Sequence, residues 1–407
     1  MQDSHILDVG MSTDGLRWRF PDGRTGLVTG DGVDARSTYG WTGRPDPHTI
    51  AFGECGAGVL SFDGQAATLI RHDVQETTFQ GEGETLFGRL VLPAGEGPVP
   101  VVVQVHGSGS WSATTFLARQ RMLPAEGIGV FAYDKRGTGR STGTYTQDFH
   151  LLAADAAAAA REARRLAGPR LGALAYEGVS QGGWVAPLAA AIEPVDRIIV
   201  GYGLTVSPLE ENRSEVLLNV SEAGYGSEAL EGAGELADAT GVVIASNFTS
   251  GFRELAEVRK RYRSEPWFDA VQGEFTGEML SYPTWLVQLT APIIGRRANR
   301  GTTWSHEPLP VLRSLDVPIL WVLAGSDREA PPEQTRTDLI RLQGEGRRIT
   351  ILEFPDTDHG ILEFETLPDG RRVNTRAADG YLSAVADFAR DGRLAPVQYG
   401  NAVLIGN

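Results

Sequence analysis

The sequence predicts an α/β protein: a doubly wound, mostly parallel sheet with an inserted helical cap and a small β-rich N-terminal domain. Three observations carry that prediction. From about residue 76, apolar runs of strand length alternate with segments of helical spacing. The run Val101-Val-Val-Gln-Val105 is apolar almost without a break, as a strand buried on both faces must be. Between two of the strand runs lie about 105 residues of helical and irregular pattern, too many for a loop and suited to an insertion.

Residues 1–75 hold short strand-like pieces, Gly15-Leu-Arg-Trp-Arg-Phe20 and Gly56-Ala-Gly-Val-Leu-Ser-Phe62, punctuated by Asp-Gly turn signals at 14, 22, 31 and 63. This domain is expected to serve as a packing or dimerisation accessory, or to add a wall to the active site. Residues 76–206 form the first part of the sheet domain. An antiparallel pair is expected at 77–79 and 86–92, then strand 101–105, helix 116–125, strand 129–133, helix 149–166, strand 171–177, helix 184–192 and strand 197–200. Residues 207–311 are the cap, with helical pattern at 210–223, 227–239, 252–262 and 279–294. The second part of the sheet domain, 312–407, brings strand 317–323, helix 332–342, strand 348–352, helix 375–389 and a C-terminal tail.

Composition narrows the function. With 407 residues, 41% hydrophobic and 22% charged, the chain reads as an ordinary globular protein of one large domain plus additions. No apolar run approaches a bilayer span, and residues 1–10, with Asp3 and Asp8, lack the basic start and apolar stretch of a secretory signal. A cytoplasmic location is the expectation. A net charge of −15 argues against nucleic acid and anionic membranes as partners. The two densest basic patches, Arg259-Lys-Arg-Tyr-Arg263 and Arg296-Arg-Ala-Asn-Arg300, read as solvated helix faces. Lysine occurs only at 135 and 260, every other basic residue being arginine. Cys55 is the sole cysteine, which excludes an internal disulfide and any multi-cysteine metal site; a small buried hydrophobe is its expected role.

The chemistry gathers at strand ends, where an open α/β sheet keeps its ligands. Leu174-Ala-Tyr-Glu-Gly-Val-Ser-Gln-Gly-Gly183 reads as strand, tight turn and helix, with Ser180 at the bend as candidate nucleophile. Side chains at Gly178 and Gly182 would collide with the crossing helix and strand. A chain this rich in glycine carries Gly-x-Ser-x-Gly by chance about 0.3 times, so the motif needs its context. His359, in Phe354-Pro-Asp-Thr-Asp-His-Gly360 after the last strand, is the candidate base. Asp327, in Ala324-Gly-Ser-Asp327 after the strand that follows the cap, is the acid that would orient it. Asp356 and Asp358 compete as the acid but share the histidine's loop. His306 competes as the base, with a pocket-lining or surface role preferred. His106-Gly-Ser-Gly-Ser-Trp111 follows the buried strand and supplies an oxyanion site, with the backbone amides of Ser108 and Gln181 as donors.

His106, Gly107, Trp111 and Trp184 are the candidate pocket residues. Trp111, Trp184, Trp267, Tyr282 and Trp285 predict apolar pocket walls, with core packing the competing role for each. Asp134-Lys-Arg-Gly-Thr-Gly-Arg-Ser-Thr-Gly143 lacks the spacing of a phosphate loop and reads as a tight turn. There is no His-Glu-x-x-His or paired-histidine motif, and neither a metal nor a cofactor is expected.

Assembled, these residues make the chain resemble the α/β-hydrolase superfamily over about 76–391. It looks most like bacterial serine esterases of carboxylesterase type, with a His-Gly-Ser-Gly oxyanion segment, an Asp-x-Arg-Gly-x-Gly-x-Ser turn and a Gly-x-Ser-Gln-Gly-Gly elbow. The resemblance implies a Ser180, Asp327, His359 triad, a cap inserted after the sixth strand, and cleavage of esters, thioesters or amides. The β-rich N-terminal segment is outside the hydrolase core. The expected activity is carboxylic ester hydrolysis through an acyl-enzyme on Ser180. A serine peptidase or amidase, or an acyltransferase using the same triad, is the alternative; a scaffold without activity is the rival of another class. The expected partner is a small-molecule acyl substrate, and a homodimer is compatible with the sequence. An unperturbed imidazole at 359 would make activity fall below roughly pH 6 to 7.

Overall fold

The structure, a computed structural model, describes residues 6–30, 35–54 and 58–406. Cys55 and the Asp-Gly signal at 31 lie outside the described residues. Asp-Gly turns break the N-terminal part into a meander of seven strands that pair in sequence order: β1 (Asp8–Ser12), β2 (Gly15–Arg19), β3 (Thr25–Thr29), β4 (Ala35–Thr38), β5 (Pro45–Phe52), β6 (Leu60–Phe62) and β7 (Gln65–Ala67). At the β6–β7 hairpin, Asp63 and Gly64 both take positive φ, 51° and 76°, as a two-residue hairpin turn that follows strand twist requires. Buried Trp18, Ala35 and Ile50, with Phe20, Phe52 and Phe62 against them, form this sheet's own small core.

The main sheet begins with the antiparallel pair β8 (Asp73–Gln80) and β9 (Thr85–Leu92). Then come β10 (Val99–Val105), helices α1 (Ala113–Phe116) and α2 (Arg119–Ala125), and β11 (Gly129–Tyr133). Helix α3 (Phe149–Ala167), β12 (Leu171–Val179), helix α4 (Gly182–Ile192) and β13 (Arg197–Gly201) follow. The segment expected as the cap holds α5 (Pro208–Glu222), α6 (Ser227–Ala245), α7 (Phe252–Tyr262), α8 (Thr276–Ser281), α9 (Thr284–Thr290) and α10 (Ile294–Ala298). Helix α11 (Pro308–Ser314) leads back to β14 (Ile319–Ala324), helix α12 (Glu333–Gly344) and β15 (Ile349–Phe354). A small antiparallel sheet of β16 (Thr357–Asp358), β17 (Leu362–Thr366) and β18 (Arg372–Ala377) precedes α13 (Tyr381–Asp391) and the closing strand β19 (Val403–Ile405).

The nine strands of the main sheet lie in the order β19-β15-β14-β13-β12-β10-β11-β9-β8, parallel from β15 through β11 and antiparallel at both edges. Helices α3, α4, α11 and α12 bury one face, and α2 and α13 the other, so β10 and β12 are apolar on both sides. Strand order reverses around β10, and the carboxyl ends of β10 and β12 at such a switch point are where open α/β sheets bind their ligands. The cap has its own core of Val216, Leu236, Val243, Phe252 and Trp267. Its first helix starts in a reciprocal cap, the Ser207 hydroxyl accepting the Glu210 N–H at 3.3 Å and Glu210 accepting the Ser207 N–H at 2.8 Å. Its far end is tied down by an ion pair of Glu222 with Arg328 at 2.7 Å.

Several expectations need correction. The helix expected at 116–125 is two, because Leu117 is extended (φ −69°, ψ 113°). The helix expected at 279–294 is broken into α8, α9 and α10: Tyr282, before Pro283, is extended (ψ 154°), and Pro292 has no N–H with which to continue α9. The expected helix at 375–389 starts only at Tyr381. Residues 372–377 pair with β17 instead, and Gly380 at φ 85° makes the change of direction. The tail is a ninth strand, β19, that pairs with β15, so β15 is the last strand only of the parallel set.

Candidate active site

The elbow between β12 and α4 holds Ser180 at φ 52°, a conformation disfavoured for a residue with a side chain. The neighbouring backbone enforces it. Ser180 N–H donates to the Gly201 carbonyl at 3.0 Å and its own carbonyl accepts the Gly183 N–H at 2.7 Å. A Cβ at Gly178 would lie 2.1 Å from the Gly182 carbonyl oxygen, and one at Gly182 would lie 2.0 Å from that of Val105. Only glycine allows helix and strands to approach so closely.

Two further strand ends bring the partners. His359 sits between β16 and β17, just past β15, and its Nε2 is 3.2 Å from Ser180 Oγ. Its Nδ1 is 2.9 Å from Oδ2 of Asp327, which follows β14. Asp327 is buried and cannot swing away, because its Oδ1 accepts the N–H groups of Glu329 at 3.0 Å and Ala330 at 2.8 Å. A carboxylate at Nδ1 selects the tautomer that carries its proton there, which leaves Nε2 free to accept from the serine hydroxyl. Asp358 instead accepts the N–H groups of Arg328 and His359, each at 3.0 Å, and pairs with Arg372 at 3.0 Å. Asp356 accepts from Asn401 at 3.2 Å. Both shape the loop. The Ser108 and Gln181 amides flank Ser180, one on the loop after β10 and the other at the start of α4. Gly107 packs so tightly that a Cβ there would lie 3.1 Å from that of Ser180.

With this geometry in view, comparison with known proteins decides the family. A family model described as the alpha/beta hydrolase family matches residues 102–406. The chain belongs to the alpha/beta hydrolase family. No curated protein matches this hydrolase. Among solved structures, it is similar to an acylaminoacyl peptidase of Pyrococcus horikoshii at 15% identity and a TM-score of 0.42, covering 89% of this chain and 51% of that one. An esterase of Pyrococcus furiosus aligns at 14% identity and a TM-score of 0.45, over 71% of this chain and 84% of that one. A thermophilic esterase of Thermogutta terrifontis aligns at 19% identity and a TM-score of 0.40, over 70% and 91%. The hydrolase thus spans about half the length of the peptidase it matches.

Electrostatics around the hydrolase's histidine differ from the bare-imidazole expectation. Burial works against its charge, but the hydrogen bond and charge of Asp327, helped by Glu329 and Glu211, push His359 up to about 9. Glu329 is an exposed residue whose Oε1 lies 3.5 Å from His359 Nε2. The sign follows directly: a carboxylate that favours imidazolium raises the pH needed to obtain the neutral base. Activity is therefore expected to fall as pH drops through a limb displaced upward from 6.5 toward about 9. Glu329→Gln is expected to move that limb downward by up to about one unit, the exposed position limiting the effect. A kcat/KM profile from pH 5 to 10 checks this, and an unmoved limb would remove Glu329 from the account.

Other expected site residues fare unevenly. Trp184 is not at the site surface. It is buried, stacks on Phe149 at 5.0 Å, and donates to the Val206 carbonyl at 2.9 Å. Trp267 is buried in the cap core, while Tyr282 and Trp285 are 52% and 68% exposed. His106 is buried beneath Trp111, the rings stacking at 4.8 Å, and burial pushes it well below the usual imidazole range. His306 is neither surface nor base. It is buried edge-on against Phe149 at 5.7 Å and is held down to about 4 by burial and by His150. The expected apolar walls include carboxyl groups: half-buried Glu211 and Glu215 lie on α5, and burial pushes Glu215 up to about 7. Glu329, Glu211 and Tyr202 join the site without a signal that the sequence analysis used. Glu329 is two residues from Asp327 and was within reach of the motif; Tyr202, whose ring meets that of His359 edge-on at 4.8 Å, has no motif to announce it. Among the described residues, no group of three or more His, Cys, Asp and Glu converges as metal ligands would, and no helix is long and apolar enough to cross a membrane.

Proposed function

We propose that this protein is a serine hydrolase that cleaves carboxylic esters of small molecules through an acyl-enzyme on Ser180. The observation that carries the reading is the unbroken line Ser180 Oγ, His359 Nε2, His359 Nδ1, Asp327 Oδ2, with steps of 3.2 and 2.9 Å across the ring. Ser180 Oγ attacks the ester carbonyl carbon while its proton passes to His359 Nε2. The oxyanion is met by the Ser108 and Gln181 N–H groups, the second at the positive end of α4. Collapse expels the alcohol, which takes the proton back from His359. Water then repeats the sequence on the acyl-enzyme, giving the acid and free Ser180. An ester is the least demanding acyl donor here, because an alkoxide is a far better leaving group than an amide nitrogen, which must be protonated before it departs.

Hydrolysis of p-nitrophenyl esters from acetyl to dodecanoyl, with Ser180→Ala alongside, tests the proposal. Ser180-dependent turnover with one chain-length optimum is expected. Folded protein that turns over none of these esters would contradict it. One observation favours a second reading with the same triad, release of an amine from a peptide or amide: Glu329, Glu211 and Glu274 gather carboxyl groups around His359, where a cationic group could be received. Aminoacyl p-nitroanilides cleaved faster than the matching esters would decide for it.

A further inference from the structure

We propose that Lys135 is a positioning residue of the oxyanion site, a buried amine donor that aims the Ser108 N–H. The inference rests on the serine-hydrolase reading above and extends it to a residue outside the triad.

Lys135 belongs to the turn after β11, whose other members do structural work. Asp134 accepts from Ser112 at 2.9 Å, from the Thr114 N–H at 3.0 Å and from the Arg140 N–H at 2.9 Å, and Arg136 pairs with Asp155 at 2.7 Å. Lys135 departs from that pattern. It is 3% exposed, and among the described residues it has no carboxylate partner. Its Nζ donates to the Gly107 carbonyl at 2.7 Å and reaches Gln181 Oε1 at 3.5 Å, with the Tyr145 ring 5.2 Å away. One amino group therefore touches the Gly107 backbone carbonyl and the Gln181 side chain, on the two segments that flank Ser180.

Peptide geometry supplies the consequence. The Gly107 carbonyl and the Ser108 N–H belong to one planar unit, and in a trans peptide they point in opposite directions. Fixing the carbonyl on Lys135 fixes the direction of the N–H. The next peptide is held in turn, since the Tyr145 hydroxyl donates to the Ser108 carbonyl. Gln181 is steadied from the other side by its Nε2 donating to Gln147 at 2.9 Å, and the Gln147 N–H bonds the Arg300 carbonyl at 2.8 Å. An unpaired ammonium in this setting destabilises the fold relative to an apolar side chain of similar length. Burial holds it down to about 7. In a chain that uses arginine at every basic position but two, a lysine here fits a need for a compact single donor.

The experiment compares kcat and KM for p-nitrophenyl esters in the full chain and in Lys135→Met, Lys135→Gln and Ser180→Ala, with thermal unfolding of each. Lys135→Met is expected to lower kcat about 100-fold, the usual effect of losing one oxyanion donor, with KM within about threefold and an undiminished melting temperature. Lys135→Gln keeps a donor without the charge and should fall between the two. A trifluoromethyl ketone, which forms a tetrahedral adduct, should lose affinity for Lys135→Met by about the same factor as kcat. A Lys135→Met enzyme with kcat within threefold of the native chain, beside an inactive Ser180→Ala, would overturn the role of Lys135 alone. Full turnover by Ser180→Ala would overturn the hydrolase reading and this inference together.

Discussion

Ser180→Ala is expected to lower kcat for an activated ester by about 10⁵-fold or more, leaving only the rate that binding and oxyanion donors give without a nucleophile. The substitution removes one oxygen atom. The elbow's conformation does not depend on that atom, because it is set by the Gly201 and Gly183 hydrogen bonds and by the close approaches at Gly178 and Gly182. Alanine at φ 52° carries the same backbone cost as serine, so melting temperatures should coincide and the loss will be chemical. Steady-state turnover reads the effect. The mass of the intact chain after treatment with a fluorophosphonate supplies an independent reading: one adduct on the native protein and none on the variant. Substantial turnover by Ser180→Ala would move the nucleophile elsewhere.

Asp327→Asn is expected to cost about 10⁴-fold in kcat at neutral pH, and the structure gives the reason. The Glu329 and Ala330 N–H groups already claim Oδ1 of residue 327. An asparagine must keep its oxygen there, which turns its Nδ2 donor toward His359 Nδ1. The imidazole then has to accept at Nδ1 and carry its proton on Nε2, where it faces Ser180 and cannot take a proton from it. Loss of the Asp327 charge also removes the main influence holding the ring near 9, so the acid limb should move to lower pH while the plateau collapses. A kcat/KM profile shows both effects. Retention of more than a tenth of native activity would remove Asp327 as the acid and point to another carboxylate such as Asp358.

How much of this was legible in the sequence depends on how local the cause is. Strand β11 and helix α7 were read with their observed bounds, and β13 to within a residue, because apolar period and turn residues are local signals. Ser180, Asp327 and His359 were legible because each follows a strand end in a motif. Helix 375–389 was misread because helical spacing continued upstream through residues whose strand pairing depends on β17. Trp184 was misplaced because nearness to the elbow in sequence says nothing of the side of α4 on which a ring lies; here that side faces Phe149. Lys135 was passed over inside a turn whose other residues are structural. Its partner Gly107 is on another strand's loop, and no spacing rule connects them. The upward shift of His359 was equally invisible, since Glu211 arrives from the cap.

Strand β18 belongs to the small sheet whose first turn carries His359, and it is also the strand on which the N-terminal meander rests. Gly23 and Gly40 press on it so closely that a Cβ would come within 1.9 Å of the Ala377 carbonyl oxygen and 2.2 Å of that of Thr375. The Ala377 N–H donates to the Gly23 carbonyl at 3.1 Å, and the Trp41 N–H to that of Asn374 at 3.0 Å. During synthesis the ribosome releases the meander first and β18 about 300 residues later, an interval of roughly 15 to 60 s at ordinary elongation rates. The meander must therefore hold its own shape for that interval, and the loop bearing His359 gains its outer support only once β18 has followed.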